Sequence, residues 1–180
     1  MAEELLISKA DILGFWPQLD INTLDQKVES YILRSQQSDL KPILGPALYY
    51  DVSTNPEVGD NIELINGVDY EFNNNTIFFG GIKPTLAAWV YSRIMLNINM
   101  NVARASVVDK TTDQSTPHDI ALIKQRSREA DSEAIRLREE LIQYLREHPD
   151  LYPLYGQRVD QSADTKTSFK ISRVARHKQR

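Results

Sequence analysis

The chain has 180 residues, 41% of them hydrophobic, and a net charge of −4. That is one domain's length with some chain to spare, and enough apolar material for one core. With no cysteine, disulfides, a thiol nucleophile and cysteine-ligated zinc are excluded, which fits a reducing compartment; the acidic balance argues against a general nucleic-acid binder.

The charge is unevenly placed. Between Gln157 and Arg180 seven cations face two acids, a local charge of +5 that leaves −9 on residues 1–156. An acidic helical domain over 1–156 and a basic C-terminal tail over 157–180 are therefore expected. The opening MAEELLISKADILG lacks a basic start and a long apolar run, so no secretion signal is expected. The sequon at Asn74 then carries no weight.

Residues 1–20 hold scattered apolar anchors, among them Leu5, Leu6, Ile7, Ile12 and Trp16, and no helix is assigned there. Asn22 with Asp25 forms the pattern of a capping box. Leu24, Val28, Tyr31 and Ile32 then repeat at helical spacing, and this helix is predicted to end near Ser38. Pro42 suits the first turn of a new helix, and Gly45-Pro46 breaks or kinks it before Leu48, Tyr49 and Tyr50. STNPEVGD reads as a loop. Val68, Tyr70 and Phe72 alternate with Asp69 and Glu71, the strand period of two. Asn73, Asn74 and Asn75 supply turn residues that tolerate positive φ, and Thr76–Phe79 returns. A small hairpin over about 68–79 follows.

The stretch GGIKPTLAAWVYSRIMLNINMN is apolar on nearly every side. Leu86, Ala87, Val90, Tyr91, Ile94 and Ile98 fill one face, and Trp89, Met95, Leu96 and Met100 cover much of the rest. From Pro84 to Met100 it falls short of the about 20 apolar residues a membrane span needs, and Arg93 sits midway. A buried central helix is predicted, with Trp89, Val90 and Ile94 in the core. An extended arm over about 103–115 comes next. Thr116-Pro117-His118-Asp119 then starts a helix that should reach about His148. Its inner stripe is Ile120, Ile123, Ser127, Ala130, Ala134, Leu137, Leu141 and Tyr144, a narrow seam whose small residues admit a second helix closely. Arg136 and Glu140 pair on its flank. PDLYPLYG reads as an aromatic clasp.

Signatures of chemistry are missing. His118, His148 and His177 lie far apart without metal-ligand spacing, and there is no nucleophile elbow, P-loop or dinucleotide fingerprint. Gly80-Gly81 precedes a helix N-terminus, where a phosphate cradle is conceivable; a strand-to-helix turn needing permissive backbone is the expected reading. Glu129, Asp131, Glu133, Glu139 and Glu140 are interleaved with arginines, as on a solvated or subunit-facing surface. No enzyme, cofactor or metal is expected. The basic tail, by composition disordered when alone, contacts phosphates non-specifically, is a loose solvated tail, or docks on a partner protein. There TSFKISRV alternates as a strand that could add to another chain's edge.

Several stretches together carry a resemblance: SDLKPILGPALYYDV, FFGGIKPTLAAWVYSRIMLN, the Val107-Val108-Asp109-Lys110 arm, the Thr116-Pro117 helix start and YLREHPDLYPLY, in this order. Over roughly residues 20–156 the chain resembles the head–tail connector (adaptor) proteins of tailed bacteriophages, notably the branch in phages of gut Bacteroidetes, including crAss-like phages. The resemblance implies a mainly α-helical bundle with a small β-hairpin, an extended arm and a C-terminal tail. It implies a homo-oligomeric ring, a dodecamer, below the portal protein at the head–tail junction of the virion. Such a ring, made in the bacterial host cytoplasm, extends the DNA channel and docks tail or further ring proteins. DNA passes through without sequence-specific binding, and no membrane is involved. The arm and tail would reach neighbours, with Arg104, Lys110, Phe169, Lys170, Ile171, Arg173, Arg176 and Lys178 as partner contacts. The alternative is a DNA-binding or packaging accessory protein that uses the basic tail.

Overall fold

The structure, a computed structural model, describes residues 4–17, 19, 25–97, 100–103, 106–109 and 120–157. The helices among them are α1 (Lys9–Phe15), α2 (Asp25–Ser35), α3 (Lys41–Leu44), α4 (Pro46–Thr54), α5 (Asp60–Asn66), α6 (Ile82–Asn97) and α7 (Ile120–Glu147). Two antiparallel hairpins complete the described part: β1 (Val68–Phe72) with β2 (Asn75–Phe79), and β3 (Met100–Ala103) with β4 (Ser106–Asp109). The fold is mainly α-helical, a helical bundle with a small β-hairpin, as its periodicities predict.

Helix α6 is apolar on nearly every side and covered over most of its surface, with Leu96 left exposed. Helices α1, α2, α5 and α7 pack against it, and Ile82, Leu86, Val90 and Tyr91 are buried along it. Val90 and Ile94 lie in the core as expected, while Trp89 is half-buried and packs against it. The helix stops at Asn97, earlier than predicted, and Met100 opens β3 instead. Trp16, at the end of α1, stacks on Tyr91 with ring centroids 4.7 Å apart. Among the described residues no helix is long and apolar enough to cross a membrane.

Apart from Ile120, whose side chain lies outside what the structure describes, the predicted seam of α7 lies on its buried face. Ser127, Ala130, Ala134, Leu141 and Tyr144 are buried, and Ile123 and Leu137 are half-buried. Small side chains let α6 and α7 approach closely. Ser92 Oγ and Ser127 Oγ lie 3.0 Å apart at the contact, so two buried hydroxyls satisfy each other. The residues predicted to start this helix, 116–119, lie outside the described residues.

Four further features differ from expectation. Residues 9–15 form a helix, fixed locally: Ser8 Oγ accepts from the Asp11 backbone N–H at 3.2 Å and Asp11 accepts from the Ser8 N–H at 2.8 Å. Burial alone would raise the Asp11 carboxyl, but the Ser8 hydrogen bonds and the Lys83 charge outweigh it and hold it below the ordinary value.

Secondly, α2 ends at Ser35, but the helical run does not end near Ser38. It runs through a π-helical turn, Gln36–Leu40, directly into α3. The wider turn lets the chain continue into Pro42 without a helix end, and the true break is Gly45, at φ 79°. The π turn also aims Gln36 inward, where it is fully buried. Its Oε1 accepts from the Leu6 N–H at 2.8 Å and its Nε2 donates to the Glu4 carbonyl at 3.0 Å. One side chain thereby binds the N-terminal segment as a strand partner would. The expected cap, Asn22, lies outside the described residues.

Thirdly, residues 60–66, within or beside a stretch read as loop, form α5 and bury Leu64 and Ile65. Fourthly, the predicted arm is in part a hairpin: Val102 pairs with Val107 and Ala103 with Ser106. Residues 104–105 and 110–119 lie outside the described residues.

Candidate assembly surface

The β1–β2 hairpin is closed by Asn73 and Asn74, at φ 51° and 61°. Two central residues with positive φ match the right-handed twist of the strands, which is why asparagine stands there. Pairing of Asp69 with Phe78, and of Glu71 with Thr76, puts these four side chains on one face. That face is exposed, with Phe78 71% accessible. The other face, Val68, Tyr70, Ile77 and Phe79, turns inward.

Tyr144 of α7 holds this inner face. It stacks on Phe79 at 4.0 Å, meets Tyr70 edge-on at 5.2 Å and touches His148 at 4.4 Å and Tyr152 at 5.9 Å. The clasp after α7 closes over the same cluster: Tyr152 is buried, and its hydroxyl donates to the Asp60 carbonyl at 3.0 Å. His148 is helix-end chemistry, its Nδ1 lying 2.9 Å from the Tyr144 carbonyl.

Burial, then the hydrogen bond to Glu147, pushes the Tyr70 phenol up to about 12. Burial also raises Tyr144 and Tyr152. A phenol that holds its proton more tightly when folded contributes stability below its unfolded pKa of about 10 and loses it as pH rises further. The denaturation midpoint should thus hold steady from pH 8 to 9 and fall between about pH 10 and 12. Tyr70→Phe should flatten part of that fall. A Tyr70→Phe midpoint that drops as steeply as the parent's would contradict this.

The Gly80-Gly81 question is settled by geometry. Gly81 adopts φ 79°, and a Cβ on it would lie 2.5 Å from the Gly67 nitrogen and 2.6 Å from the Ile65 carbonyl oxygen. The two glycines are a strand-to-helix turn pressed against the end of α5. Arg93, unexplained by sequence, forks onto Asp39 at 2.5 and 3.0 Å and reaches Ser35 Oγ at 3.1 Å, tying α6 to the π turn. Burial of Asp39 outweighs the guanidinium and lifts its carboxyl above the ordinary value.

On the outer side of α7 three of the carboxylates, Glu129, Glu133 and Glu140, have local partners. Glu133 and Glu140 both pair with Arg136, and Gln125 donates to Glu129 at 2.8 Å. An open depression of about 880 Å³ runs along Lys124, Arg128, Glu129 and Arg136. Among the described residues no cluster of three or more histidines or carboxylates is placed to hold a metal ion. Arg104, Lys110, Phe169, Lys170, Ile171, Arg173, Arg176 and Lys178 lie outside the described residues.

Sequence reasoning missed the exposed apolar side chains. Ten large ones are exposed among the described residues, and five of them, Tyr50, Val58, Ile62, Phe72 and Phe78, fall between α4 and β2. The alternation along the hairpin was the available signal for Phe78, since its position is the outward one.

Residues 40–165, more than half of the chain, match a family of unknown function, DUF6712. The chain belongs to that family. The match takes in everything from α3 to the clasp, hence both faces of the hairpin and the α6–α7 seam, and leaves α1 and α2 outside. No curated protein and no solved structure matches the chain.

Proposed function

We propose that the chain is a structural subunit of a tailed-bacteriophage virion: one protomer of a head–tail connector ring below the portal, which extends the DNA channel and docks tail components. The observation that carries the reading is the exposed apolar set on a body whose interior is already closed. Tyr50 and Val58 are 60% and 62% accessible on α4 and the loop after it, while Leu122 and Ile135 are exposed on α7. A ring subunit needs two different contact faces, one for each neighbour, and this chain offers apolar anchors on separate elements. The acidic body suits a channel through which DNA slides, because like charge discourages sticking. The resemblance in sequence to connector proteins points the same way.

Electron microscopy of the purified protein mixed with its portal tests the reading. Rings at the portal exit are expected; monomers that ignore the portal would overturn it. The basic tail supports the second reading, a DNA-binding or packaging accessory. Steep, salt-sensitive DNA binding that disappears on deleting residues 157–180 would favour that reading instead.

A further inference from the structure

We propose that the outer face of the β1–β2 hairpin and the exposed side of α5 are the docking place of this chain's own basic segment, residues 165–180. The proposal stands apart from the connector reading and does not need it.

Between Lys41 and Lys83 the sequence contains no lysine or arginine but six carboxylates: Asp51, Glu57, Asp60, Glu63, Asp69 and Glu71. All of these except half-buried Asp51 are exposed. The fold ties the pieces of this stretch to one another. Asn61 Nδ2 donates to Asp51 Oδ2 and to the Asn55 carbonyl, both at 3.1 Å, joining α5 to α4. The close approach of Gly67 and Gly81 joins α5 to the hairpin base. Phe78 and Ile62 stand exposed among the acids. Apolar area left open on an unpartnered sheet face, rimmed with one sign of charge, calls for a ligand that is apolar and cationic.

The chain supplies such a ligand. Beyond Asp164 it carries Lys166, Lys170, Arg173, Arg176, Lys178 and Arg180 without one acid, and Phe169, Ile171 and Val174 among them. The point of departure also favours it. The hydroxyl of Tyr152 on the Asp60 carbonyl places the clasp beside α5, and the described chain ends at Gln157, a few residues later. The linker to residue 165 reaches on the order of 25 Å when extended. A short tether gives a local concentration of about the millimolar range, which favours the segment of the same chain over that of a second copy. Nucleic acid is a poor occupant of so acidic a face.

The absence of native cysteine allows a direct test in the full chain. Ile171→Cys is combined with Ile62→Cys, and separately with Phe78→Cys, both at exposed positions; Ile171→Cys with Gln26→Cys on α2 is the control. Under mild oxidation, at least one of the first two pairs should close to an intramolecular disulfide about tenfold faster than the control, an advantage lost in 1 M salt, where the screening length shrinks to about 3 Å. Asp69→Lys with Glu71→Lys should slow closure likewise. Closure no faster than the control would overturn the proposal. Disulfide-linked dimers in place of monomers would overturn it too, by placing the tail on a second copy.

Discussion

Replacing Gly81 by alanine is expected to cost about 4 kcal/mol of folding stability and to lower the melting temperature by about 10 °C. Two effects add. The φ of 79° disfavours any side chain, and the new Cβ would meet the Gly67 nitrogen at 2.5 Å. Gly67 is the other half of the same contact. It adopts φ 93° and ψ 161°, a region open to glycine almost alone, and its own Cβ would meet the Phe79 carbonyl oxygen at 2.4 Å. Both obstacles are backbone, so relief requires the hairpin to move off α5. Gly14→Ala is the contrasting change. Nothing lies within 4 Å of a Cβ there, the residue is inside α1, and alanine should stabilise the helix by roughly 0.5–1 kcal/mol. Thermal melts of the two variants decide the matter; a Gly81→Ala protein that melts within a degree or two of the parent would mean that the turn is free to relax.

What could be read from residues divides along physical lines. The hairpin was legible because its alternation is strict and its turn demands residues that accept positive φ, which Asn73 and Asn74 provide. The seam of α7 was legible because the helix is long enough for a three-and-four spacing to repeat, and Ser127, Ala130 and Ala134 mark where another helix must come close. Helices α1 and α5 span only seven residues each, about two turns, too few for a period to stand out. The Ser8–Asp11 capping box was the one local sign of α1. The π turn had none: Gln36 is polar in sequence and fully buried in the fold, because it binds the backbone of a segment thirty residues away. Partners that far apart leave no trace in local pattern. The partner of Arg93 was hidden for the same reason, while the cation-free run from α4 to β2 was in plain view and gained meaning only once the hairpin face proved open.

Tyr144→Ala should be the most damaging single core change, with an expected loss of about 3–5 kcal/mol. The number follows from size and burial, but the distribution of the loss follows from position. Tyr144 is where three pieces meet: the stack on Phe79 holds β2, the edge contact with Tyr70 holds β1, and the contact with Tyr152 holds the clasp. None of these pieces has a large core of its own, so removing the ring leaves a cavity that the rest fills poorly. Amide exchange should therefore accelerate across 68–79 and 148–156 well beyond any change in α2, which packs at the other side of α6 through Val28 and Ile32. Tyr144→Phe keeps the ring and its contacts with Phe79, Tyr70 and Tyr152 and should cost far less than the alanine change. Uniform acceleration in every helix would show instead that Tyr144 supports the whole bundle equally. A local pattern would establish that the hairpin and its acidic, apolar outer face are presented by this one side chain, and that whatever docks there depends on a residue it never touches.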